Sequence, residues 1–278
     1  DRMSAIIDAR TLRPAADAYY ELGLSLIHAN ALASHRFADG RGQWLTSFRR
    51  SNLDEVADIM ESEIGESSYL DGFARVDFAW SPDTRGSLQT LLARDQAEIT
   101  NPAGTEHATA EYANAYVWGT LAHDWSARLS TTAILSFTDV SAERKAVVNE
   151  PGNRTGAVDD MRDYDVLGLK VDAHYATDRW LQRAGVDVRK LEATYAYTGS
   201  VDFAPDYPYP GAGVQDISRA LAPNPSGEHF AAYYTVRGRL TDALTAEVGL
   251  RWDEQTYGAD ADDQLGPRLN LAWRIDER

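Results

Sequence analysis

The chain has 278 residues, 44% of them hydrophobic, with no cysteine, and its 27 Lys and Arg against 43 Asp and Glu give a formal net charge of −16 at pH 7. A field this acidic repels phosphate backbones and argues against a nucleic-acid partner, while the missing thiols exclude disulfides, thiolate metal sites and cysteine nucleophiles. A mean hydropathy of −0.43 and the lack of any run of about 18 apolar residues exclude a helical membrane protein, so crossing a bilayer would fall to strands.

The first residues, Asp1-Arg2-Met3-Ser4, carry no basic segment followed by an apolar one, as a signal peptide would. The last, Trp273 to Arg278, follow directly on a strand pattern. Both ends read as cuts in a longer chain.

Between them, period-two alternation predicts about eleven strands: 20–27, 44–50, 70–80, 88–92, 112–125, 129–140, 165–175, 181–197, 230–240, 244–252 and 265–273. In 165–175, Leu167, Leu169, Val171, Ala173 and Tyr175 share one face, opposite Gly168, Lys170, Asp172 and His174. In 70–80, Ala74, Val76, Phe78 and Trp80 oppose Asp71, Phe73, Arg75 and Asp77. Ala246, Val248, Leu250 and Trp252 repeat this arrangement, as do Leu265, Pro267, Leu269, Leu271 and Trp273.

The connections alternate in length. Short ones at 81–86, 124–127, 176–179 and 241–243 are separated by long polar stretches at 52–67, 95–110, 141–162, 198–228 and, more briefly, 253–263. Tight turns on one side and long loops on the other are the habit of outer-membrane barrels, with the tight turns facing the periplasm. Trp80, Trp125, Trp180 and Trp273 all fall near the short-turn ends and form a candidate interfacial girdle; tryptophans at the ends of soluble hairpins would look the same. The predicted fold class is therefore all-β, an antiparallel up-and-down transmembrane β-barrel that is partial.

A search for catalytic chemistry finds no Gly-x-Ser-x-Gly and no His-Glu-x-x-His, and the histidines at 28, 35, 107, 123, 174 and 229 are scattered. The protein is expected not to be an enzyme, to need no cofactor and to hold no metal. Lumen-directed Asp71, Asp77 and Asp172 would suit an acid/base pair in a barrel hydrolase, but ordinary polar lining explains them as well. Asp260, Asp262 and Asp263 have the oxygen chemistry of a calcium loop without the Gly and distal Glu of a known one. The acidic stretch with Asp54, Glu55, Asp58, Glu61, Glu63 and Glu66 would approach lipopolysaccharide through divalent ions, or is simply a solvated loop. In 203–211, prolines stiffen a segment that presents Asp206, Tyr207 and Tyr209, the candidate substrate contacts.

The stretch Gly249-Leu250-Arg251-Trp252-Asp253, followed by Asp263-Gln264-Leu265-Gly266-Pro267-Arg268-Leu269-Asn270-Leu271-Ala272-Trp273, resembles the barrel domain of TonB-dependent outer-membrane receptors. Tyr20-Glu21-Leu22-Gly23-Leu24-Ser25-Leu26-Ile27 and Gly42-Gln43-Trp44-Leu45 look like that family's opening barrel strands, and residues 1–11 like the tail of its plug domain. The resemblance implies a barrel of about 22 strands around a plugged lumen, of which about eleven lie here. It divides the chain into 1–17, the plug tail and linker, and 18–278, the first half of the barrel. It further implies TonB-dependent uptake of a scarce solute, most often a ferric siderophore, with a periplasmic energy-coupling protein, lipid and lipopolysaccharide as partners. Competing readings are an outer-membrane barrel hydrolase and a soluble β-propeller or sandwich binding module.

Overall fold

The computed structural model describes residues 16–52, 66–205, 216–258 and 262–275. Residues 1–15, the bulk of the expected plug tail, lie outside that set.

The described chain is one antiparallel sheet of β1 (Ala18–Leu24), β2 (His28–Phe37), β3 (Gly42–Ser51), β4 (Glu66–Ser81), β5 (Thr84–Thr100), β6 (Glu106–Asp124), β7 (Leu129–Glu150), β8 (Arg154–Ala176), β9 (Trp180–Phe203), β10 (Asp216–Leu221), β11 (Ser226–Arg239), β12 (Leu244–Gln255) and β13 (Asp262–Trp273). Each strand pairs with the next, except that β9 pairs with both β10 and β11. The upper part of β9 takes β10, with Tyr197 opposite Leu221, and the lower part takes β11, with Trp180 opposite Gly238. Such an up-and-down order leaves backbone donors and acceptors paired strand to strand, as a membrane-crossing sheet requires.

The alternation predicted for 70–80, 165–175, 244–252 and 265–273 is present in register: Val171, for example, lies opposite Ala133 on one side and Val186 on the other. The strands are longer and more numerous than the pattern suggested. The stretches 95–110 and 141–162, read as long loops, are mostly paired strand, closed by 101–105 and 151–153, and 198–228 contains the end of β9, all of β10 and the start of β11. The segment 28–37, left unassigned, is β2, and the strand placed at 20–27 ends at Leu24.

Side chains sort by face. On one face, which we call outer, 129–137, 167–175, 180–188, 230–238, 244–252 and 265–273 present only apolar or uncharged residues at their alternate positions. Each segment is nine residues long, close to the length of a tilted membrane strand. The next position on the same face is charged in every case: Asp139, Asp165, Lys190, Glu228, Glu254 and Asp263. The apolar outer residues stay uncovered, with Leu135 57%, Leu269 66% and Trp273 70% exposed. Among the described residues Leu45 and Ala231 are the buried hydrophobics, so no central core holds this sheet together.

The few polar groups on the outer band are satisfied within it. The Tyr234 hydroxyl donates to Gln182 Oε1 at 2.8 Å, and Trp125 Nε1 donates to Thr131 Oγ1 at 3.0 Å. An apolar surrounding penalises unpaired polar atoms, and these contacts remove that penalty.

The inner face of the same segments is polar and laced with ion pairs two residues apart on one strand, the spacing that puts both side chains on one side. Arg75 pairs with Asp77 at 2.6 Å, Lys170 with Asp172 at 3.2 Å, Arg189 with Asp187 at 2.7 Å and Arg251 with Asp253 at 2.7 Å. A trough of about 930 Å³ runs along this face over β8, β9 and β11 to β13.

Candidate functional site

Strands β7, β8 and β9 continue past the charged boundary for about 35 Å along their length. In this upper wall the polarity of the two faces inverts. The outer face now carries Glu143, Lys145, Asp159, Asp163, Glu192 and Thr194 beside Val147, Ala157 and Met161, while the inner face carries aromatic and aliphatic residues with Arg144, Arg154 and Arg162 and the acids Asp95, Glu106, Glu150 and Asp160.

Register places these inner residues in rows across the sheet. One row runs Tyr69, Asp95, Tyr112, Ala142, Arg162, Tyr195 from β4 to β9. The row above it runs Ala97, Ala110, Arg144, Asp160, Tyr197, Leu221 from β5 to β10. The alanines form a shallow floor, so the tyrosine rings and guanidinium groups stand above it. Tyr112, Tyr164 and Tyr195 are all roughly two-fifths exposed on this face.

Asp160 anchors the upper row and is itself only 6% exposed. Its Oδ1 accepts from Arg162 Nε at 2.9 Å, and its Oδ2 accepts from Arg162 Nη2 at 2.9 Å and from Arg144 Nη2. The hydrogen bonds from Arg162, followed by those from Arg144, hold the Asp160 carboxyl below the usual carboxylate range despite its burial, and the Arg162 guanidinium is held above its usual value by Asp160. Lower on the inner face, Arg49 pairs with Asp71 and lies 4.9 Å over the Tyr69 ring. Aromatic faces beside cationic forks can bind a solute that has both a flat apolar body and an anionic group.

Residues 206–209, with the candidate contacts Asp206, Tyr207 and Tyr209, lie outside the described residues. Their flanks belong to the same wall, since Asp202 of β9 lies opposite Asp216 of β10. The three lumen-directed carboxylates are not brought together: Asp71 and Asp77 sit six residues apart on β4, and Asp172 is on β8. Each has a cationic partner in Arg49, Arg75 or Lys170, and Asp172 also accepts from the Tyr233 hydroxyl. This is the arrangement of polar lining, with no adjacent pair of carboxyl groups for acid/base exchange. Asp262 and Asp263 open β13, while Asp260 lies outside the described residues. Among the described residues no three His, Asp or Glu side chains cluster as metal ligands would.

The four tryptophans lie together at one end of the sheet, next to the turns 82–83, 125–128, 177–179 and 240–243. All are exposed on the outer side, from 44% for Trp180 to 70% for Trp273. Trp80 lies over Gly86 and Trp180 over Gly238 on the neighbouring strand, so closely that a Cβ at either glycine would meet the indole ring. Aromatic rings laid over strand glycines restore the packing that the missing side chain leaves out.

Tyr112, Tyr164, Tyr195, Arg144, Asp160 and Arg162 were not singled out from sequence. The signal was present as two arginines flanking an aspartate on paired strands, but it becomes readable only once Arg144 is known to face Asp160 across the β7–β8 hairpin.

No protein-family model and no curated protein matches the chain. Solved structures do match. The siderophore receptor PiuA from Acinetobacter baumannii is similar at a TM-score of 0.55 and 10% identity, over 88% of this chain and 44% of that one. The ferric preacinetobactin receptor BauA from the same organism is similar at 0.53 and 13% identity, over 90% and 44%. The ferripyoverdine receptor of the outer membrane of Pseudomonas aeruginosa is similar at 0.56 and 11% identity, over 90% and 38%. The chain has the barrel fold of the TonB-dependent siderophore receptors. It spans less than half the length of the receptors it matches.

Proposed function

We propose that the chain is part of an outer-membrane receptor that captures a scarce solute, a ferric siderophore first among the candidates, and passes it inward when a periplasmic TonB energy-coupling protein acts on the receptor. The observation that carries this reading is the inversion of polarity at one height. Nine-residue apolar segments face outward below a line of charges, and an aromatic, arginine-bearing wall faces inward above it. The lower part suits lipid and the upper part suits a ligand approaching from outside.

In this reading the apolar band contacts outer-membrane lipid, the line of charges lies at the level of lipopolysaccharide headgroups, and Trp80, Trp125, Trp180 and Trp273 form the periplasmic girdle. Residues 1–17 are the tail of a plug and its linker, and 18–278 the first half of the barrel. Asp206, Tyr207 and Tyr209 are further candidate contacts for the same solute.

Uptake by the full-length receptor tests the proposal. Iron-starved cells carrying it should accumulate a labelled ferric siderophore, and accumulation should fall to background when the energy coupler is deleted while surface binding persists. Accumulation that is indifferent to the coupler would contradict the reading.

A further inference from the structure

We propose that Arg144 and Arg162 form an oxyanion-binding pair, which selects a small solute carrying a carboxylate or phosphate next to an aromatic or aliphatic body. The inference rests on the reading of the upper inner wall as a ligand face and assigns its specificity.

The arithmetic of the cluster is the first ground. Asp160 is one carboxylate, and it is shared by two guanidinium groups that are 45% and 50% exposed. One aspartate neutralises one arginine, so the cluster keeps a net positive charge. Among the described residues neither guanidinium has a second carboxylate partner. Each arginine offers about five N–H donors, of which Asp160 engages two from Arg162 and one from Arg144. The remaining donors are free for a ligand, held in place by a buried anchor. Planar forks fixed in this way match the two oxygens of a carboxylate or phosphate.

The second ground is the surrounding. Tyr195 lies opposite Arg162, Tyr197 opposite Asp160, and Ala142 and Ala110 keep the floor low beside them. An aromatic wall next to the pair accepts the apolar body of the same solute. At the same height the outer face bears Glu143, Asp159, Asp163 and Glu192 against Lys145 and Lys190, a net negative surface, whereas the arginine pair on the inner side attracts an anion. A structural ion pair would need one arginine for Asp160, and the second has no structural debt to settle.

The test uses the full-length receptor in detergent with three probes of similar size: phenyl phosphate, phenylacetate and the neutral phenylacetamide. Saturation-transfer NMR should show saturable binding of at least one anion and none of the amide at the same concentrations. The Arg144→Gln/Arg162→Gln double variant, checked for folding by heat-modifiable gel mobility, should bind that anion at least about tenfold more weakly. Inorganic sulfate should displace the probe from the unmodified receptor, which decides the matter even if the double variant does not fold. Binding of phenyl phosphate alone or phenylacetate alone names the group recognised. Equal binding of the amide, undiminished binding by the folded double variant, failure of sulfate to compete, or no saturable anion binding would each overturn the proposal. These outcomes are independent of coupler-driven accumulation, so the receptor reading stands or falls separately.

Discussion

Replacing Leu135 by Arg should destabilise the full-length barrel by about 2–4 kcal/mol, whereas Arg at the adjacent Ser136 should cost under about 1 kcal/mol. Leu135 stands outward within its nine-residue segment 129–137, two residues from the midpoint, between Gly119 of β6 and Leu169 of β8, and is 57% exposed to whatever surrounds the sheet. If lipid surrounds it, a guanidinium there loses its hydration, and snorkelling to either edge is longest from mid-band. Ser136 points to the polar inner face, opposite Gly168, where a charge keeps water or ionic partners. Reversible denaturant unfolding of the full-length protein in lipid vesicles measures both. Equal penalties at 135 and 136 would mean that the outer face is not a lipid face.

Replacement of Tyr112 or Tyr195 by Ala should weaken capture of the transported solute by about 10- to 30-fold each, the effect of removing a central aromatic anchor from a binding face. The two rings flank Arg162 in one row of the inner wall, on either side of Ala142, and are roughly two-fifths exposed. Ala at Tyr175, an outward residue at the opposite end of β8, should leave affinity unchanged. Direct binding of the solute identified by uptake separates the cases. Loss at Tyr175 equal to that at Tyr112 would point to general destabilisation, and unchanged affinity at Tyr112 and Tyr195 would move the ligand elsewhere. The same assay on Tyr207→Ala and Tyr209→Ala decides whether that loop belongs to the face.

Much of the lower sheet was legible because its outward residues follow a simple rule. At 167–175, 244–252 and 265–273 every second side chain is apolar, and the alternation gave both the strands and their faces. The resemblance placed Gly249 to Asp253 and 265–273 as consecutive elements, and they are the paired strands β12 and β13. The upper wall obeys a different rule. Above Asp139 and Asp165 the outward positions include Glu143, Lys145, Asp159 and Asp163, and the inward ones mix Val140, Ala142, Val148 and Tyr164 with Arg144, Asp160 and Arg162, so 141–162 reads as a polar loop although its backbone is paired from Leu129–Glu150 to Arg154–Ala176. Backbone hydrogen bonds between strands hold that hairpin, and they leave little trace in hydropathy.

Two other segments were missed for local reasons. In β2, HANALASHRF, small Ala and Ser side chains give no strong contrast between faces. In β10, DISRAL, every residue is exposed, and the strand exists by pairing with the top of β9. The candidate site was hidden for the same reason as the upper wall. Arg144 and Asp160 are 16 residues apart and meet only because the hairpin register makes them partners.

The absence of cysteine from these 278 residues leaves an introduced thiol as the one labelling site in this part of the protein. Single cysteines at Ala157, Asp178 and Leu169 of the full-length protein, labelled on intact cells with a membrane-impermeant maleimide, test the transmembrane orientation directly. The account predicts labelling at Ala157 on intact cells, labelling at Asp178 only after the outer membrane is opened, and little labelling at Leu169 in either state. Labelling at Asp178 on intact cells with Ala157 protected, or equal labelling at all three positions, would contradict it.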